Sequence, residues 1–184
     1  DPKNPLSKLA PVKYDPNARC QLWLSFLNLI FDHRGKLISF LQRAIGYSLT
    51  GDISEQVLFL LYGLGSNGKS TLLEIIRLIL GDYALNTPFS TFSLHDNETV
   101  RNDLARMVGA RFVSSIEVKD AQRLDEVVVK QLTGGDTITA RFLYREFFEF
   151  VPTFKLWLAV NHKPVIRGTE EAIWRRIRLI PFDV

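Results

Sequence analysis

The stretch Gly63-Leu64-Gly65-Ser66-Asn67-Gly68-Lys69-Ser70 constrains this chain more than any other, because it fits G-x-x-x-x-G-K-[ST]. Glycines let the backbone turn tightly, so that successive N–H groups converge on one point. A helix starting at the end of the loop aims its positive pole at the same point. Such a loop binds phosphate. Lys69 is placed to reach the β- and γ-phosphates of a nucleoside triphosphate, and the Ser70 hydroxyl to ligate Mg²⁺. The pattern has force only between a strand and a helix. Val57-Leu58-Phe59-Leu60-Leu61 is a short apolar run leading straight into the glycines, and Ser70 to Leu80 is apolar nearly all round, as suits a helix buried against a sheet. A Gly-rich turn ending in a solvated Lys would account for neither flank.

The rest of the chain fits the same layout. Phe112 and Val113 begin a second strand, Leu124 to Leu132 is a helix, 155–160 is a third strand and 177–182 a fourth. Near-continuous apolar strands alternating with helices predict an α/β fold with a mostly parallel sheet. Before this unit, Trp23, Phe26, Leu27 and Ile30 follow helical spacing, as do Leu37, Phe40, Leu41 and Ala44, with Gly35 between. They predict a helical hairpin ending near Gly46, followed by a turn at Thr50-Gly51-Asp52. Pro2, Pro5, Pro11 and Pro16 make residues 1–17 an extended arm or linker. The expected divisions are therefore 1–17, a helical segment at 18–52 and an ATPase-type domain at 53–184.

Composition narrows the classes. With 184 residues, 46% hydrophobic and 23% charged, the chain suits one folded domain rather than disorder. A net charge of +3 leaves any nucleic-acid role to the placement of Lys and Arg, not to their number. Cys20 is the one cysteine, so an internal disulfide is excluded, and with His33, His95 and His162 a zinc cluster is not expected. The sequence has no basic–apolar leader and no apolar run long enough to span a membrane, and the expected compartment is a reducing cytoplasm. The chain starts at Asp1 and stops at Val184 directly after an apolar stretch, which reads as a piece of a longer protein.

Beyond the loop, several residues have chemistry suited to it. Glu117 follows the strand 111–116, where a carboxylate at the C-terminal end of a parallel strand can polarise an attacking water or hold Mg²⁺ through water. Asp120 reads as a turn residue. Asn161 closes the strand 155–160 and either positions water or the γ-phosphate, or simply opens the turn Asn161-His162-Lys163-Pro164. Arg175 and Arg176 precede the last strand; paired arginines there are ordinarily solvated or ion-paired, but an Arg supplied by a neighbour stabilises phosphoryl-transfer transition states. Thr137, Thr139 and Arg141 alternate with Ile138, Ala140 and Phe142, and a return through Phe148 and Phe150 makes a hairpin with Tyr144 and Arg145 near its tip. Basic and aromatic groups together suit a nucleic-acid strand, whereas an ordinary hairpin would put its aromatics in the core.

Taken in order, Gly46-Tyr47-Ser48-Leu49-Thr50-Gly51-Asp52, the loop through Thr71, Leu132-Thr133-Gly134-Gly135-Asp136, Phe154-Lys155-Leu156-Trp157-Leu158-Ala159, Asn161-His162-Lys163-Pro164 and Trp174-Arg175-Arg176-Ile177-Arg178 resemble superfamily 3 helicases, an AAA+ branch. The likeness is to the phage and plasmid primase–helicases related to the poxvirus primase–helicase, and it covers most of the chain from residue 18. The resemblance implies a three-layer P-loop ATPase using ATP and Mg²⁺ to move along and unwind DNA during replication. It implies Walker A at Gly63, Gly65, Ser66, Asn67, Gly68, Lys69, Ser70 and Thr71, Walker B at Glu117, and a polar sensor at Asn161. The same likeness makes Arg175 or Arg176 an arginine finger, 130–150 a pore hairpin with Lys130, Arg141, Tyr144 and Arg145 toward DNA, and 18–46 a small domain that helps subunits pack. Partners so implied are single-stranded or forked DNA, further copies in a ring (a hexamer), and primase and C-terminal segments of the same longer protein.

One departure is Ile116, where such proteins usually carry a small or polar residue before the Walker B acid. Two rival readings differ in class. A GTPase would use Asn161-His162-Lys163 to read guanine, but the Asp of N-K-x-D is missing and no D-x-x-G follows residues 112–116. An ATP-gated assembly module would bind DNA or protein partners with little turnover.

Overall fold

The structure is a computed structural model describing residues 7–94, 102–117, 123–168 and 171–183. Among these, five strands form one sheet: β1 (Leu58–Tyr62), β2 (Ala84–Asn86), β3 (Phe112–Ile116), β6 (Lys155–Val160) and β7 (Ile177–Pro181). They lie in the order β2-β3-β6-β1-β7, and every pairing is parallel. The expected α/β fold with a parallel sheet is thus present. The inner strands β1 and β6 are almost wholly apolar because both faces are covered. On one face, Leu58, Leu60, Leu156 and Leu158 pack with Phe89, Phe92, Met107 and the helix α5 (Glu126–Gly134). On the other, Phe59, Leu61, Trp157 and Phe182 pack with α3 (Lys69–Leu80) and the two leading helices, α1 (Gln21–Ile30) and α2 (Gly35–Leu49).

The helical segment therefore shares its core with the sheet. Trp157 is fully buried, its ring 4.3 Å from that of Phe59 and 5.4 Å from that of Phe112. Its indole N–H donates to Ser48 Oγ at 3.0 Å, and Ser48 Oγ donates to Ala44 O at 2.8 Å, so the polar edge is satisfied inside the core. The helix α2 runs three residues beyond the expected stop at Gly46. A Cβ at Gly46 would meet nothing within 4 Å, so this glycine costs only helix propensity, which the burial of Leu41, Ala44 and Ser48 outweighs. Residues 7–17 form no helix or strand and are tied to the domain: Leu9 N donates to Asp82 Oδ2 at 3.1 Å and Asp82 N to Leu9 O at 3.1 Å.

Two smaller helices, α4 (Asn102–Ala105) and α6 (Glu171–Trp174), 3-10 turns at Gly81–Tyr83 and Phe89–Phe92, and a separate two-stranded sheet of β4 (Ile138–Ala140) and β5 (Phe148–Phe150) complete the described elements. The β4–β5 pairing is antiparallel, Ile138 opposite Phe150 and Ala140 opposite Phe148, which is the expected hairpin. Asp120 lies outside the described residues.

Lys155 opens β6 with 1% of its surface exposed. Its ammonium donates to Thr50 O at 2.6 Å and Asp52 O at 2.9 Å and lies 4.5 Å from the centroid of the Tyr47 ring, pinning the end of α2 to the sheet. Burial first, then the Arg111 charge, push its pKa down to about 8, against partial support from Asp52. Between about pH 8 and the ordinary lysine value the unfolded chain holds this proton more tightly than the folded one, so this group's contribution to stability grows as pH rises through that window and is lost as pH falls through 8. Denaturant midpoints measured across the window should rise for the natural protein relative to Lys155→Met, which lacks the linkage. A constant difference would mean that Lys155 is not held in this environment.

Candidate nucleotide site

The C-terminal ends of β1, β6 and β3 are adjacent because β6 lies between the other two. Each end carries one part of the site. From β1 the chain enters the glycine loop. A Cβ on Gly63 would lie 2.1 Å from Phe182 O and 2.5 Å from Asn67 Nδ2, so only glycine lets the loop close against the end of β7. Ser66 and Gly68 take left-handed conformations, with φ of 64° and 89°, and α3 starts at the next residue, Lys69. Asn67 Nδ2 donates to Phe182 O at 2.8 Å and locks the loop to β7.

Lys69 is 6% exposed; its ammonium donates to Gly63 O, to Leu64 O at 3.3 Å and to Asn67 Oδ1 at 2.9 Å. Burial holds its pKa below the usual lysine range. Glu117 directly follows β3, and its N–H donates to Ala159 O at 2.8 Å, carrying the β3–β6 ladder one residue further. At 8% exposure it faces the same cleft as the loop. Asn161 directly follows β6 and is exposed on the cleft wall rather than buried. The resulting cleft of about 330 Å³ brings together Gly65 to Thr71, Ile116, Glu117, Ala159 and Asn161. Ile116, the departure noted in sequence, is 39% exposed and forms part of this wall. Converging backbone N–H groups, a buried ammonium, the exposed Ser70 hydroxyl and a carboxylate suit a polyphosphate carrying a hard divalent cation.

The other singled-out residues lie at the opposite end of the sheet. Arg175 and Arg176 precede β7, whose first residue pairs with Leu58, so they sit about 20 Å from the loop of their own chain. Their environments differ. Arg175 is exposed and donates to Gln56 Oε1 at 3.2 Å. Arg176 is 7% exposed, donating to Thr133 Oγ1 at 3.1 Å and also to Ala172 O and Gln56 Oε1. The hairpin leads directly into Lys155 and is rooted at this same end. Its tip carries Tyr144, 95% exposed with φ of 61°, and Arg145, exposed; Arg141 lies at 4.5 Å over the Phe147 ring. Lys130 is half-buried on α5.

Gln56 is the residue that sequence reading passed over. Its amide donates to Gly134 O at 3.2 Å while its oxygen accepts from both arginines, joining the end of α5, the start of the hairpin segment and the arginine pair. A positive φ of 51° sets the side chain in place, and nothing in Ser54-Glu55-Gln56 signals that conformation.

A parallel sheet with a glycine loop after β1 and an acid at the end of β3, two strands away, defines a P-loop NTPase-like fold of the AAA+ kind. The chain belongs to a family described as one of unknown function, DUF5906, which matches residues 61–176, and its motifs resemble those of superfamily 3 primase–helicases. A provisionally named helicase of Acanthamoeba polyphaga mimivirus is 37% identical over 136 residues, 73% of this chain and 14% of that protein. A provisionally named primase of African swine fever virus is 26% identical over 97% of this chain and 17% of its own length. In fold, the apo C-terminal region of NrS-1 is similar at a TM-score of 0.66 and 18% identity, covering 98% of this chain and 41% of that one. The chain thus spans less than a fifth of these two curated relatives. Among the described residues no helix is long and apolar enough to cross a membrane.

Proposed function

We propose that this chain is the ATP-hydrolysing motor of a DNA helicase, acting in replication of a virus, phage or plasmid as part of a longer primase–helicase. The observation that carries the reading is the single cleft shared by the glycine loop, Glu117 and Asn161. In it Lys69 would bind the β- and γ-phosphates, Ser70 and Glu117 would hold Mg²⁺, and Thr71, on the first turn of α3, would lie beside the phosphates. Bound Mg²⁺ would supply charge neutralisation on the phosphate oxygens. Glu117 would accept the proton of the water that attacks the γ-phosphorus as the bond to the bridging oxygen breaks and ADP leaves, and Asn161 would orient that water. Arg175 reaches the ATP of a neighbouring subunit, since its own loop is too distant; hydrolysis therefore belongs to an oligomer, which we take to be a hexameric ring.

The hairpin supplies the grip on DNA. Its root is at the far end of the sheet from the cleft, so its tip can be altered without touching the nucleotide. Arg145→Ala should weaken single-stranded DNA binding for all sequences and lower the log–log salt slope by about 0.7. Tyr144→Ala should weaken binding at constant slope, because stacking releases no counterions. Hydrolysis without DNA should persist in both. Unchanged affinity and slope for Arg145→Ala would remove the hairpin tip from the DNA path and shift attention to Lys130 and to Arg141 nearer the hairpin root. Measuring ATP hydrolysis by the assembled protein with and without single-stranded DNA tests the whole proposal: a motor is stimulated, whereas an assembly module turns over little in either case.

A further inference from the structure

Residues 50–57 connect α2 to β1, and they are held at several points. Thr50 O and Asp52 O accept from the Lys155 ammonium, and Glu55 N donates to the Tyr47 hydroxyl at 3.2 Å. Ile53 lies under the end of α5, where a Cβ on Gly135 would be 3.4 Å from its Cδ1. Gln56 therefore stands on a fixed base. Its amide also fixes its own orientation. Nε2 donates to Gly134 O, so Oε1 faces Arg175 Nη2 at 3.2 Å and Arg176 Nη2 at 3.5 Å. Turned over, the amide would set donors against guanidinium donors and its oxygen against a carbonyl.

We infer that Gln56 is the positioning residue of Arg175, holding its guanidinium ready for the triphosphate of the neighbouring subunit. The inference rests on the reading of Arg175 as acting in trans. The two arginines depend on Gln56 unequally. Arg176 is also held by Thr133 Oγ1 and Ala172 O, whereas among the described residues Gln56 is the one hydrogen-bond partner of the Arg175 side chain. Among the same residues neither arginine forms an ion pair. A neutral amide suits the task for two reasons. It restricts a long side chain before docking, so less rotamer freedom is lost when the guanidinium meets phosphate. It leaves the charge uncancelled and is a weaker acceptor than the phosphate oxygen that must displace it. A carboxylate at this position would instead keep the guanidinium on its own chain.

Four variants test this by phosphate release from the assembled protein: Gln56→Ala, Gln56→Glu, Arg175→Ala and the double variant Gln56→Ala/Arg175→Ala. Gln56→Ala should lower kcat by about tenfold and leave ATP affinity unchanged. The double variant should be no slower than Arg175→Ala, because an amide that works through an arginine has nothing left to work on. Gln56→Glu keeps the shape and captures the guanidinium. Its kcat should be low at low ionic strength and recover, relative to the natural protein at the same salt, as screening weakens the pair. A merely structural Gln56 would give losses that multiply in the double variant and a Gln56→Glu defect indifferent to salt; either result overturns the inference. Full turnover in Gln56→Ala beside a deficient Arg175→Ala overturns it as well, and leaves Arg175 in its role. Full turnover in Arg175→Ala would instead remove the trans reading on which the inference rests.

Discussion

Lys69→Ala should abolish ATP turnover and weaken ATP binding by about a hundredfold, while the fold persists. The ammonium is buried and donates to Gly63 O, Leu64 O and Asn67 Oδ1. These are neutral acceptors, and burial already disfavours its charge. Phosphate oxygens are stronger acceptors for a desolvated cation, because their negative charge adds an attraction that a neutral carbonyl lacks. Alanine leaves the converging N–H groups of the loop in place, so residual binding is expected. It removes the counter-charge at the γ-phosphate, so turnover is not. Binding measured by calorimetry and phosphate release by the assembled protein separate the two. Normal turnover in this variant would remove the phosphate loop from the chemistry. A loss of both accompanied by a large drop in thermal midpoint would mean that Lys69 acts through its contacts to Gly63 and Asn67.

The loop was legible in sequence because its chemistry is local: eight consecutive residues, an apolar run before and an apolar helix after. Strands β1 and β6 were legible for a related reason, since burial on both faces leaves an almost unbroken apolar run, and β3 and β7 through the shorter runs Phe112-Val113 and Leu179-Ile180. The strand β2 was not. Ala84-Leu85-Asn86 is three residues long at the sheet edge and is defined by pairing with Phe112 to Ser114. Gly46 misled as a stop because propensity is a weak term beside the burial of its neighbours. The anchoring of the arm depends on Asp82, a partner more than 70 residues away that no local pattern reveals. Lys155 was visible as a charge opening an apolar strand, but its role depends on the carbonyls of Thr50 and Asp52, which the fold brings to it.

The arginine pair shows the same limit at the site. Arg175 and Arg176 are adjacent and identical in type, so sequence alone gave both equal standing as the finger. Burial separates them. Arg176 is enclosed, bonded to Thr133, Ala172 and Gln56, and its pKa is lowered by burial first and by Arg175 second. Arg175 is exposed, with Gln56 as a partner on its own chain, and so is available to an adjacent subunit.

Arg175→Ala is accordingly expected to keep its fold, its ATP affinity and its assembly, and to lose turnover by about a thousandfold or more. Arg176→Ala should instead lower the thermal midpoint, because it leaves Thr133 and the end of α5 without their enclosed partner. The decisive measurement mixes Arg175→Ala with Lys69→Ala under assembling conditions. Each variant alone lacks one half of every site. In a mixed ring, a subunit with an intact loop can stand beside one with an intact arginine, so some sites recover and turnover returns to a fraction set by the mixing ratio. A structural arginine acting within its own chain gives no such recovery, since every subunit still carries a defect of its own. Recovery with Arg176→Ala and none with Arg175→Ala would reverse the assignment. Mixed rings of confirmed size that stay inactive with both variants would make the arginine pair part of the scaffold around Gln56 and leave the transition-state charge to residues of the cleft itself.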